Sequence, residues 1–146
     1  MEVREARFTD VKNILDFLEK YHETSNLSDI PFDRRSCAKI VDYVLSVKDT
    51  LGLVAYAEGE LKGVLFGTLE PFFFNRKKSY ATDILFISTG GGGPQMWRKF
   101  KEWAFYHGAE RLMMGVSSED ARAGQLLEAL GMTNTGGMYV LRSQSS

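Results

Sequence analysis

A chain of 146 residues with 44% hydrophobic and 25% charged content suits one compact domain spanning 1–146 that buries most of its apolar surface. A formal net charge of −1 removes the global electrostatic case for nucleic acid or an anionic membrane and leaves only a local basic patch open. The single cysteine, Cys37, allows no intramolecular disulfide and no Cys-rich metal site, which points to a reducing compartment, the cytoplasm by default.

The opening MEVREARFTD is charged where a secretory signal is apolar, and no apolar run approaches a membrane span, so a soluble protein is expected. MEVREAR alternates like a half-buried strand. Thr9 or Asp10 can then cap a helix whose apolar positions Val11, Ile14, Leu15, Leu18 and Tyr21 recur at helical spacing. The polar, turn-rich YHETSNLSDIPFDRR leads to a second amphipathic stripe, Cys37, Ile40, Val41, Val44 and Leu45. Two strand-like runs, LGLVAYA and LKGVLFGTL, flank EGE, a hairpin turn. After the loop EPFFFNRKKS comes the strand YATDILFIS, then four glycines, Gly90 to Gly93, and a helix over about Gln95 to Tyr106. The strand RLMMGV, a helix over about Glu119 to Leu130 and a final strand near MYVLR complete the order βααβββαβαβ, with RSQSS as a frayed tail.

The helix after the glycines carries Met96, Trp97, Phe100, Trp103 and Ala104 on one side, so it lies against a sheet. A helix that starts directly after a strand offers unpaired N–H groups and a positive dipole end, and glycines let an anion come close to that backbone. The run therefore reads as a diphosphate cradle or as a plain flexible connection. No Gly-Lys-Ser/Thr follows and the preceding strands form a hairpin sheet, so it is not a nucleotide-hydrolysing P-loop. Trp97 and Trp103 read as core, His107 as a partner for terminal helix carbonyls and His22 as a loop residue. Three successive aromatics, Phe72 to Phe74, cannot all face one core, so at least one is exposed or lines an acceptor pocket or a dimer surface. NRKKS beside them makes a small basic rim.

These residues resemble the GCN5-related N-acetyltransferases, in which a central strand leads into a Gln/Arg-x-x-Gly-x-Gly/Ala loop and a helix that hold the pyrophosphate of acetyl-coenzyme A. The resemblance rests on MWRKFKEWAFYHGAERLMMGV and on LLEALGM, and within the family it is nearest to small phage and bacterial members. It implies an α/β fold with a mixed, mostly antiparallel central sheet flanked by helices, and acetyl-CoA as co-substrate with an amine as acceptor. Phe86, Ile87, Ser88, Thr89, Gly90, Gly91, Gly92, Gly93, Gln95 and Asp120 are the cofactor-binding residues it implies. Three positions depart from the pattern: Ser88 stands where the motif has Gln or Arg, Asp120 where many members have an Asn that contacts the pantetheine arm, and Leu127 where many have the tyrosine that protonates the leaving thiolate.

Direct attack on the thioester needs a neutral amine, an N–H to stabilise the oxyanion and a proton for sulfur. Asp83, read from strand alternation as sharing a face with Leu85 and Ile87, is the first choice as base and Glu70 the reserve. Asp83 reads equally as a strand-end charge paired with Lys77 or Lys78. The oxyanion donor is expected near Phe86 to Ser88. No metal-ligand spacing occurs. Two other readings compete with the enzyme: an inert CoA-binding or interaction domain of the same fold, and a phosphate-ligand sensor built on the glycine loop alone.

Overall fold

The structure, a computed structural model, describes residues 1–116 and 121–143. The chain divides into two compact units, Met1–Met114 and Gly115–Ser146. In the first, strands β1 (Glu2–Glu5), β2 (Thr50–Ala57), β3 (Glu60–Pro71), β4 (Ser79–Ser88) and β5 (Arg111–Met113) form one sheet in that order. The first three pairings are antiparallel and β4 pairs with β5 in parallel. Helices α1 (Val11–Glu23), α2 (Arg34–Ser46) and α3 (Gly93–Tyr106) complete this unit.

Local chemistry sets the ends of these elements. Glu58 (φ 51°) and Gly59 (φ 79°) both take left-handed backbone, as a two-residue hairpin turn matched to strand twist requires. Asp33 caps α2 by accepting from the N–H groups of Arg35 and Ser36. Gly108, at φ 85°, follows the C-cap of α3, and the Ala109 N–H returns to the Ala104 carbonyl.

Strand alternation divides the core into two layers. Leu51, Leu53, Ala55, Leu65 and Ala81 face Met96, Phe100 and Ala104 of α3. Val54, Val64 and Phe66 face Ile14 and Leu15 of α1 and Val41 and Val44 of α2. Full burial of a side chain such as Phe66 or Phe100 contributes about 2–3 kcal/mol. Helix α3 sits close to the sheet because β3 carries glycines beneath it. A Cβ at Gly67 would lie 2.3 Å from the Phe100 ring, and one at Gly63 would lie 2.7 Å from the Met96 methyl.

The second unit contains α4 (Ala121–Ala129), after which Gly131 turns the chain at φ 101°. The final strand expected near MYVLR is not found: 138–142 carry no strand pairing, and Tyr139 is 99% exposed. Alternating hydrophobicity alone does not make a strand; its backbone groups need a ladder partner. Strand β5 is likewise shorter than RLMMGV suggests, and the described part of α4 starts at Ala121.

Candidate functional site

Strand β4 changes character halfway along. Phe66 of β3 pairs with Leu85 and Gly67 pairs with Asp83, so Ile84 is an extra residue that bulges out of β4. Such a bulge bends its strand and re-aims the residues beyond it. On its other edge β4 pairs with β5 only through Tyr80, Ala81 and Thr82. The Thr89 N–H donates to the Lys62 carbonyl on β3 at 2.8 Å, and Ser88 lies opposite Gly63. By antiparallel alternation, the N–H groups of Ser88 and Phe86 then point away from β3, toward the edge that β5 leaves open.

The bulge also decides which face Asp83 occupies. Leu85 packs with the α1/α2 layer, whereas Phe86 and Ala81 pack with the α3 layer. Asp83 lies across from Gly67, whose missing side chain would point at Phe100. Asp83 is therefore half-buried on the α3 side of the sheet and does not share the face of Leu85 and Ile87 that simple alternation predicts. Glu70 stands opposite Tyr80 on β3, one residue beyond Leu69 of the α3 layer, and so belongs to the other face. Its Oε1 accepts from Thr68 Oγ1 at 3.3 Å. The two candidate bases thus flank opposite sides of the sheet. Lys78, one of the partners weighed for Asp83, pairs with Glu110 at 3.1 Å.

The four glycines do different work. Gly91 (φ 94°) and Gly92 (φ 81°) hold the left-handed backbone that turns the chain from β4 into α3. Gly93 is the first residue of α3, followed by Pro94, which suits the first turn because its missing N–H needs no partner there. Met96 makes the first bond of the helix, to the Gly92 carbonyl. The N–H groups of Gly93 and Gln95 have no partner among the described residues. Ser88 Oγ donates to the Gly91 carbonyl at 2.9 Å, and Thr89 Oγ1 donates to the Lys62 carbonyl at 2.9 Å. Both hydroxyls close the loop on the protein itself. Below it Phe86 packs with the α3 layer and Ile87 is buried. Gly90 has no left-handed backbone; the stem of Lys62 crosses over it. No sequence signal marked Lys62, because a bulge leaves no trace in the alternation of LKGVLFGTL.

Asp120, the remaining cofactor candidate, lies outside the described residues. Leu127 is buried in α4. His22 donates through Nε2 toward the Leu27 and Ile30 carbonyls, at 3.1 and 2.6 Å, so it ties down the loop after α1. His107 Nδ1 bonds the Trp103 carbonyl at 2.8 Å, as expected of a helix end. Trp97 is buried and Trp103 half-buried. Phe72 packs on Tyr80, while Phe73 and Phe74 are 82% and 95% exposed. Among the described residues no group of three or more His, Cys, Asp or Glu could hold a metal ion, and no helix is long and apolar enough to cross a membrane.

A mixed, mostly antiparallel sheet flanked by helices, with a bulged strand running into a glycine loop and helix, is the GCN5-related N-acetyltransferase-like fold. Among solved structures, the chain is similar to an aminoglycoside 6'-N-acetyltransferase from Acinetobacter haemolyticus, with a TM-score of 0.74 and 13% identity over 100% of both chains. A putative acetyltransferase from Agrobacterium tumefaciens gives 0.75 and 16%, covering 98% of this chain and 100% of that one. A transcriptional regulator from Bacillus halodurans gives 0.78 and 18%, covering 97% and 99%. These likenesses carry the fold, and identities of 10–18% do not separate one subgroup from another. No family model and no curated protein matches the chain.

Proposed function

We propose that this chain is an N-acetyltransferase that moves an acetyl group from acetyl-CoA to a primary amine by direct attack, with residues 1–146 acting as one domain. The observation that carries this reading is the open edge of β4 beyond Thr82, continuous with the glycine loop and the first turn of α3. The fit to acetyl-CoA rests on matched donors. The edge N–H groups of Phe86 and Ser88 suit the pantetheine arm and the thioester oxygen, and the first-turn N–H groups of Gly93 and Gln95 suit a diphosphate. Gly91 and Gly92 supply the left-handed backbone that presents this loop, with the Met1 side chain packed against both.

In the reaction the amine nitrogen attacks the thioester carbonyl. The C–N bond forms, the C–S bond breaks, and the amine proton passes to Asp83 directly or through water. With Leu127 at the position of the family tyrosine, sulfur leaves as thiolate and takes its proton from water. A thiol pKa of about 8.5 makes it a competent leaving group without a strong acid. The same leucine favours the second reading, a domain of this fold that binds CoA without turning it over.

A panel of amines with thiol release as the readout tests both readings. Asp83→Asn should lower turnover roughly 10²–10⁴-fold with CoA affinity unchanged, and the deficit should shrink as pH rises toward the amine's own pKa. Glu70→Gln should keep most of the activity. The reverse pattern would move the base to the other face of the sheet. CoA binding by the wild type without thiol release from any amine would favour the inert domain.

A further inference from the structure

Lys62 is the extra residue of a second bulge, on β3: Ala55 pairs with Gly63 and Tyr56 with Leu61, which leaves Lys62 unpaired with β2. Its carbonyl accepts from both the N–H and the Oγ1 of Thr89, so the hairpin is tied to the start of the glycine loop. Its side chain is turned across that loop. A Cβ at Gly90 would lie 3.1, 3.3 and 3.5 Å from Cδ, Cγ and Cβ of Lys62. Gly90 therefore leaves the space in which the lysine stem crosses, a reason for this glycine that differs from the backbone reason at Gly91 and Gly92.

That stem brings a cation to the loop from β3; Lys20 also lines a cavity with Thr89, and the Met1 side chain lies against Gly91 and Gly92. Ser88 through Gln95 contains no basic residue. Lys62 Nζ is held by Glu60 Oε2 at 3.2 Å, and that carboxylate is itself largely exposed. Lys62 and Thr89 also share the wall of a cavity of about 540 Å³ between α1 and the β2–β3 hairpin, together with Lys20 and the carboxylates Asp16, Glu23 and Glu60. An exposed ion pair is worth little, so the ammonium can exchange Glu60 for a multiply charged ligand at small cost.

We propose that Lys62 binds the diphosphate of the acyl donor, supplying from β3 the positive charge that the loop lacks at Ser88. The assignment rests on the acetyl-CoA reading for the identity of the ligand. Backbone N–H groups orient a diphosphate, and a lysine adds the point charge that neutralises it. The stem lies over Gly90 and its ammonium pairs with Glu60, a carboxylate that competes with the ligand.

Titration calorimetry with CoA, pantetheine and inorganic pyrophosphate tests the assignment. Lys62→Met keeps most of the stem over Gly90 and removes the charge. It should weaken CoA and pyrophosphate roughly ten- to hundredfold, the usual worth of a hydrogen bond to a charged group, and leave pantetheine unchanged. Lys62→Arg should retain most of the affinity. Glu60→Gln should tighten CoA binding by removing the competing carboxylate, an effect that a merely packed stem would not produce. Wild-type CoA affinity in Lys62→Met, or an equal loss for pantetheine, would overturn the proposal. If Lys62→Met melts early, Lys62→Gln serves for the same comparison. Wild-type binding of pyrophosphate but not CoA, lost in Lys62→Met, would sink the donor reading and keep Lys62 as a phosphate ligand; binding of neither would sink both.

Discussion

Asp10 is 4% exposed and accepts four hydrogen bonds, from Arg4 Nη1 at 2.8 Å, Arg4 Nη2 at 2.9 Å, the Tyr56 hydroxyl at 2.8 Å and the Arg7 N–H at 2.7 Å. A residue that sequence alone offers as a helix cap is thus the clasp that joins β1, β2 and the start of α1. The Arg4 guanidinium is the largest cause that holds the Asp10 carboxyl down at about 2, against the opposing effect of burial. Because the folded value lies below the unfolded one, the clasp contributes fully above about pH 4–5 and fades as pH falls toward 2. The urea midpoint of the wild type should therefore drop between pH 5 and 2. Asp10→Asn should lose about 3 kcal/mol at pH 7, since it leaves Arg4 only its pairing with the exposed Glu2 carboxylate, and should show a flatter acid limb. Equal midpoints for the two proteins at pH 7 would mean that the clasp adds nothing to stability.

Between elements, the seat of α3 on β3 sets the height of the glycine loop above the sheet. Gly67 and Gly63 are glycines because Phe100 and Met96 occupy the space their side chains would need. Gly67→Ala should cost about 2 kcal/mol or more, since the ring must shift inside a filled core, with the loss read as a lower Tm and a weaker grip on CoA. A Gly67→Ala protein with wild-type Tm would show that α3 is free to lift. The strand YATDILFIS shows what pattern reading misses at this scale. No glycine or proline marks Ile84, so alternation groups Asp83 with Leu85; the register with β3 skips Ile84 and moves Asp83 to the α3 side. The three phenylalanines are the opposite case. Opposite-face geometry is enough to expect exposure, and Phe73 and Phe74 are exposed.

For the molecule as a whole, any ligand that binds only the folded chain adds to its stability by mass action. Acetyl-CoA at about 100 times its Kd should add about 2.7 kcal/mol, seen as a Tm that climbs with each decade of ligand in a fluorimetric melt. A flat Tm at about millimolar acetyl-CoA would count against the donor reading, since typical Michaelis constants lie at or below that concentration. Within the first unit the sheet and its two helical layers follow the expected order through β5. In the second unit only α4 has regular structure among the described residues.

Elements with local signals are legible in the chain without any fold: α1, α2 and α3 from their 3.6-residue stripes, the hairpin from EGE, and the glycine loop between β4 and α3. Those signals lie in neighbouring residues, so no tertiary contact is needed to find them. Register, by contrast, exists only once the strands meet. The bulges at Ile84 and Lys62, the face of Asp83, the clasp around Asp10 and the crossing of Lys62 over Gly90 all depend on which residue of one strand meets which residue of the next. A one-residue slip reverses every such relation while leaving composition and local periodicity unchanged.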